Sequence, residues 1–112
     1  MYVTHLPDEI SFDKVGIKGK IFPTNAISNA IEFVLVDTQA GHETKIIEHK
    51  STFYYYVLSG DGYFEVDGQK EDCSRGDLVV IPPGKAFIYK GRLKLLLVNT
   101  PVWDEDQEET VE

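Results

Sequence analysis

Apolar and polar residues fall into short blocks along the chain rather than long amphipathic stretches. Ala30 to Thr38 reads Ala-Ile-Glu-Phe-Val-Leu-Val-Asp-Thr, Phe53 to Leu58 is aromatic and β-branched, and Leu78 to Ile81 is Leu-Val-Val-Ile. Such runs suit a pleated, half-buried surface. Between them stand Ala40-Gly41, Ser59-Gly60-Asp61-Gly62, Asp67-Gly68, Pro82-Pro83-Gly84 and Lys90-Gly91, each supplying backbone freedom or a fixed φ for a turn. Asp67-Gly68, between Phe64-Glu65-Val66 and Gln69-Lys70, predicts a tight hairpin. The pattern predicts about nine short strands: Lys20–Phe22, Ala30–Thr38, Glu43–His49, Phe53–Ser59, Tyr63–Val66, Gln69–Cys73, Leu78–Ile81, Lys85–Tyr89 and Leu93–Asn99. Gly60 and Gly62 are read as a sharp reversal. No helical period survives the interrupting glycines and prolines, and no repeat is visible, so an all-β sandwich or barrel follows. The first eighteen residues stay unassigned, with Lys14 to Gly19 an edge strand or a loop.

A length of 112 residues fits one domain, expected over residues 1–103. Charge separates the remainder. Of nineteen acidic residues six crowd the end (Asp104, Glu105, Asp106, Glu108, Glu109, Glu112), leaving thirteen acids against eleven bases in the body. Residues 104–112 therefore read as a solvated acidic tail. Without a Lys/Arg cluster there is no surface for phosphates, so nucleic acid and anionic membranes are not expected partners. No apolar run approaches the ~20 residues of a membrane helix. The opening Met-Tyr-Val-Thr-His-Leu-Pro-Asp-Glu-Ile lacks the basic start and apolar core of a secretory signal, and the lone Cys73 has no partner for a bridge. A reducing, cytoplasmic location is expected.

The glycines and prolines also fall at characteristic spacings. Gly41, Ile47, His49, Phe53 and Gly60 lie at the spacing Gly, five residues, His, one residue, His, three or four residues, Glu, six residues, Gly; Gly76, Pro82, Gly84, Phe87 and Gly91 lie at Gly, five residues, Pro, one residue, Gly, two residues, His, three residues, Asn. From Gly41 to Asn99 the chain resembles the cupin superfamily. That resemblance implies a double-stranded β-helix, or jelly-roll, barrel. Metal-binding cupins use the two His and the Glu of the first motif and the His of the second, and in this reading only His49 survives, beside Ile47, Phe53 and Phe87. Apolar side chains supply no donor, so no metal and no resident cofactor are expected.

Strand alternation then describes a pocket. With His49 inward, Ile47, His49, Phe53 and Tyr55 face the interior, and Phe87 and Tyr89 enter from the second motif; these six are the expected ligand-binding residues. His42 and Glu48 would by the same parity face outward. Aromatic walls with a few polar tips suit a small organic ligand, and they equally suit a filled core. His49 with Tyr55 or Tyr89 also offers an acid–base pair, since imidazole titrates near neutrality. The leading expectation is a small-molecule-binding barrel without a catalytic metal. The alternatives are a metal-free isomerase or epimerase acting on a sugar-like substrate, a metal-dependent oxygenase or isomerase, and a non-catalytic structural or regulatory barrel. Tyr54 and Tyr56 have outward parity, which together with the resemblance favours a homodimer.

Overall fold

The computed structural model describes residues 2–111; Met1 and Glu112 lie outside the described residues. Nine strands follow in order: β1 Phe12–Lys14, β2 Ile17–Ile21, β3 Glu32–Thr38, β4 Lys45–Glu48, β5 Thr52–Val66, β6 Gln69–Ser74, β7 Leu78–Ile81, β8 Ala86–Thr100 and β9 Glu108–Val111, with one 3-10 turn at Glu105–Gln107. All pairings are antiparallel. The path runs β1-β2-β3-β8-β4-β9, while β5 pairs with β6, β7 and β8.

Two pairs of expected strands are single strands. Phe53–Ser59 and Tyr63–Val66 lie in the 15-residue β5, and Lys85–Tyr89 and Leu93–Asn99 lie in the 15-residue β8. The glycines between them bend these strands where the expectation was a reversal. Gly62 faces Gly91 across the β5–β8 ladder, and a Cβ on Gly62 would strike the Lys90 carbonyl oxygen. Glycine here permits close backbone approach at a barrel corner. The Asp67-Gly68 hairpin is as expected, with Val66 paired to Gln69 and φ values of 52° and 79° at the two turn residues.

Inward alternation builds the core. Val34 and Val36 on β3, Leu93, Leu95 and Leu97 on β8, and Phe53, Tyr55 and Val57 on β5 are all buried. Closing the sheet on itself lets one face bury these side chains together, the dominant stabilising term for a domain of this size. Among the described residues no helix is long and apolar enough to cross a membrane.

The C-terminal segment overturns the expectation of a solvated tail. Strand β9 pairs with β4 in the register Lys45↔Val111, Ile46↔Thr110, Ile47↔Glu109 and Glu48↔Glu108. Gln107 ahead of it is buried; its Oε1 accepts from Lys50 N at 3.1 Å and Ser51 N at 2.7 Å, and its Nε2 donates to Ser51 Oγ at 3.1 Å. Asp104 caps the 3-10 turn by accepting from the Asp106 amide. These contacts satisfy the backbone of the β4–β5 connector, and local composition carries no trace of them.

Candidate functional site

The β4–β5 connector decides what faces the interior. Strand β4 ends at Glu48 and β5 begins at Thr52, so residues 49–51 interrupt the alternation. Ile46 and Glu48 are buried with 3% exposure each, and the inward series resumes at Phe53. Ile47 and His49 therefore do not line the interior. Ile47 faces outward and is only half-buried, and His49 stands on the surface with its Nε2 2.8 Å from Glu109 Oε1. The break at residues 49–51 shifts the inward face of β4 by one residue from the expected parity. In the first motif the "three or four residues" before the acidic position take the longer value, so Ile46, Glu48 and Phe53 stand at the inward positions.

The other four expected residues do come together. Phe53 and Tyr55 line the cavity, and Phe87 and Tyr89 lie fully buried beneath them, with ring centroids 5.8 Å apart for Phe53–Phe87 and 5.3 Å for Tyr55–Tyr89. The cavity, about 260 Å³, lies just below the usual range of ligand pockets, ~300–1,000 Å³. Its polar wall includes Glu48, Glu108, Lys14, Glu32, Asn99 and Ser11, with the Trp103 indole beside them. A larger hollow of about 540 Å³ opens outside the barrel between β6 and β7, bordered by Glu71, Asp72 and Asp77. Its buried Cys73 has a thiol pKa pushed up, first by burial and then by the carboxylates around it, so it is not an activated nucleophile. The inner cavity is the better-equipped one.

Glu48 is its most perturbed group. Its Oε1 accepts from Trp103 Nε1 at 3.1 Å, and its Oε2 has no partner among the described residues. Burial, then the hydrogen bond and charge of Glu108, push its pKa up to about 9 against the opposing Trp103 hydrogen bond and Lys14 charge. A protonated Glu48 at neutral pH supplies a donor, and its proton spares the unpartnered oxygen the cost of a buried charge. His42 lies behind this pair. Its Nδ1 is 2.7 Å from the Thr44 carbonyl oxygen, which can only accept, and 3.3 Å from the Thr44 amide; the shorter contact favours the tautomer with the hydrogen on Nδ1 and the lone pair on Nε2. Burial lowers its pKa, opposed by the Thr44 bond and Glu108, so the ring is a neutral base near pH 7. The His42 amide donates to the Tyr89 carbonyl, and the two rings meet edge-on at 5.6 Å. Burial pushes both Tyr55 and Tyr89 hydroxyls upward, so both remain O–H donors.

Sequence reasoning assigned His42 and Glu48 to the outside and set Glu108 apart in a tail. The one visible signal was Glu48 itself, a carboxylate ending the run Lys-Ile-Ile-Glu. Ile46, Glu48, Phe53 and Phe87 stand where a cupin metal would be held, and three of them have no donor atom. Among the described residues no three His, Cys, Asp or Glu side chains group as metal ligands do. This donor set does not fit a divalent ion.

The family model for the cupin domain matches residues 34–99. A search of curated proteins finds no match. Solved structures of Streptomyces PAC13, described as a unique nucleoside dehydratase, are 25% identical, with a TM-score of 0.90 over 100% of this chain and 92% of that chain. Its H42Q variant, solved with uridine, matches equally well, and Y55F and Y89F variants with uridine are also similar. This chain has His42, Tyr55 and Tyr89 at the same numbers. Ectoine synthase from P. lautus, at 19% identity and a TM-score of 0.77 over 100% of this chain and 91% of that one, shares the fold.

Proposed function

The chain belongs to the cupin domain family, and we propose that its barrel binds a nucleoside-type molecule and removes water from it with acid–base side chains instead of a metal. The observation that carries this reading is the convergence of buried His42, Tyr55 and Tyr89 behind a cavity walled by Glu48 and Glu108. In PAC13 a histidine and two tyrosines of the same numbers are the residues replaced in structures with uridine. Eliminating water requires a base for a C–H proton and an acid for the leaving hydroxyl. His42 Nε2 and the Glu108 carboxylate suit the first role, and neutral Glu48 and the two phenols suit the second. A buried acid held protonated beside a buried imidazole held neutral is the pairing that lets both act at one pH.

Calorimetric titration with uridine, followed by mass spectrometry of a nucleoside panel after incubation, tests this reading. Saturable uridine binding at ~1 mM or tighter and a product lighter by one water are expected, with turnover lost in Glu48→Gln and His42→Gln. A nucleoside bound and never dehydrated overturns the reaction while keeping the binding. No binding overturns both.

The partner of the outer surface is a second copy. Across β5 and β7, Tyr54 stands opposite Val80 and Tyr56 opposite Leu78, and the same outward row continues through Leu96 and Val98 on β8 to Phe33 and Leu35 on β3. Leu78, Val80 and Tyr56 remain 58%, 48% and 42% exposed, and an apolar sheet face of this kind is self-complementary under a two-fold axis. The single thiol and the absence of a bridge fit a cytoplasmic setting for such a dimer.

A further inference from the structure

Asn99 is a polar side chain with 2% exposure on the inner face of β8, at the border of the cavity. Its neighbours in the same row are Glu32 on β3 and Phe53 on β5. The Asn99 Nδ2 donates to Glu32 Oε1 at 3.2 Å. A carboxyl oxygen in this position accepts, which fixes the amide with Nδ2 toward Glu32 and Oδ1 turned away. That Oδ1 is buried and has no hydrogen-bond partner among the described residues. An acceptor left in that condition is unfavourable in a packed interior.

We infer that the Glu32–Asn99 pair is the base-reading end of the cavity, where Asn99 Oδ1 accepts the ring N–H of a uracil-type base. This inference rests on the nucleoside reading above and assigns the ligand's orientation within it. Tyr55 lies one inward row beyond Asn99, level with Leu97 and Val34, a step of ~7 Å along the strands. If the Tyr55 end of the cavity, with the exposed Glu108 at its rim, handles the sugar, the base extends toward Glu32 and Asn99. A base carrying a ring N–H offers the donor that Oδ1 lacks. Phe53, abreast of Asn99, supplies an apolar side wall for the ring. Glu32 acts on the ligand through the amide it orients and is a positioning residue; burial raises its pKa, yet one carboxyl oxygen accepts from Nδ2 in either protonation state.

The test compares uridine with 3-methyluridine, which lacks that N–H, by calorimetric titration of wild type, Asn99→Leu and Glu32→Gln. Wild type should bind 3-methyluridine at least about tenfold more weakly, the factor expected for one unmade buried hydrogen bond. Asn99→Leu keeps the volume and removes the acceptor, so its preference for uridine should fall to less than about threefold. Glu32→Gln can itself donate to Oδ1, releasing the fixed amide, and should lose part of the preference while remaining folded. Equal binding of both nucleosides by wild type overturns the inference and leaves the nucleoside reading standing. A preference that persists in Asn99→Leu overturns it too, because the methyl group would then be excluded by shape alone. If uridine itself fails to bind, the nucleoside reading fails and the inference falls with it. The wild-type comparison and Glu32→Gln decide the matter even if Asn99→Leu does not fold.

Discussion

Replacing Glu48 by Gln should make the protein more stable above neutral pH and leave it nearly unchanged in acid. The native carboxyl has its pKa raised from 4.5 to about 9. A raised folded-state pKa means that the folded protein holds a proton the unfolded chain has released, so the contribution of this group is complete below about pH 4.5 and declines as pH rises toward about 9. Each pH unit inside that window is worth about 1.4 kcal/mol, which gives about 3 kcal/mol by pH 7. Extending the slope to pH 9 would remove about 6 kcal/mol, comparable with the total stability of many domains, and hydration of the cavity mouth will cut the observed value short. A loss of about 1–3 kcal/mol in wild type between about pH 5 and pH 8 is therefore expected.

Glutamine keeps the shape of this side chain and its contact with Trp103. Its amide oxygen accepts from Trp103 Nε1 as Glu48 Oε1 does, and its amide nitrogen takes the place of the protonated oxygen without titrating. Urea unfolding of both proteins at intervals from about pH 5 to about pH 9 measures the difference, with the midpoint reporting stability while the slope stays constant. The two curves should converge in acid and separate by about 1–3 kcal/mol near pH 8, the variant lying above. Parallel curves across the whole range would refute the reasoning, since Glu48 would then be ionised in both states or equally protonated in both.

Gln107→Ala removes the acceptor of the Lys50 and Ser51 amides, one of them fully buried, and should cost about 2–3 kcal/mol, or roughly 10 °C in melting temperature; a shift under about 2 °C would return the C-terminal segment to the status of a loose tail. Light scattering should give twice the chain mass for wild type and the single chain mass for Tyr56→Glu combined with Leu78→Glu, because charge on both sides of the β5–β7 face cannot be buried against its own copy; a monomeric wild type refutes the interface. Ile46→His, Glu48→His, Phe53→Glu and Phe87→His together should bind Ni(II) or Zn(II) at micromolar levels or tighter, whereas Ile47→His, Phe53→Glu and Phe87→His beside native His49 should not. Equal binding by both sets would show that the inward register assigned to β4 is wrong.

Within an unbroken strand, alternation alone located the interior. Phe53 and Tyr55 were counted inside β5 and Phe87 and Tyr89 inside β8, and all four are buried. Ile47 and His49 failed because the count ran through residues 49–51, where the chain leaves one strand and enters the next, and a slip of one residue exchanges the faces of everything behind it. Gly60, Gly62 and Gly91 misled for a related reason. A glycine that admits a close carbonyl and a glycine that reverses the chain look the same in a sequence, and here they bend two 15-residue strands past each other.

The larger omission was chemical. Glu108 reaches the cavity because β9 lies along β4, a pairing of residues some sixty positions apart held by Gln107 against the β4–β5 connector. Such long-range pairing leaves no periodic mark on a four-residue strand. Charge density, the property that made residues 104–112 look solvated, treats every carboxylate alike, while in the fold Glu109 pairs with a surface histidine and Glu108 faces a buried acid. A cavity bordered by two carboxylates draws them from distant parts of the chain, and an acidic segment beside an exposed strand edge is a ready source. Acidic composition near a terminus is thus compatible with both a solvated end and a docked edge strand. The edge of β4, left open unless another strand covers it, is the physical reason to favour the second.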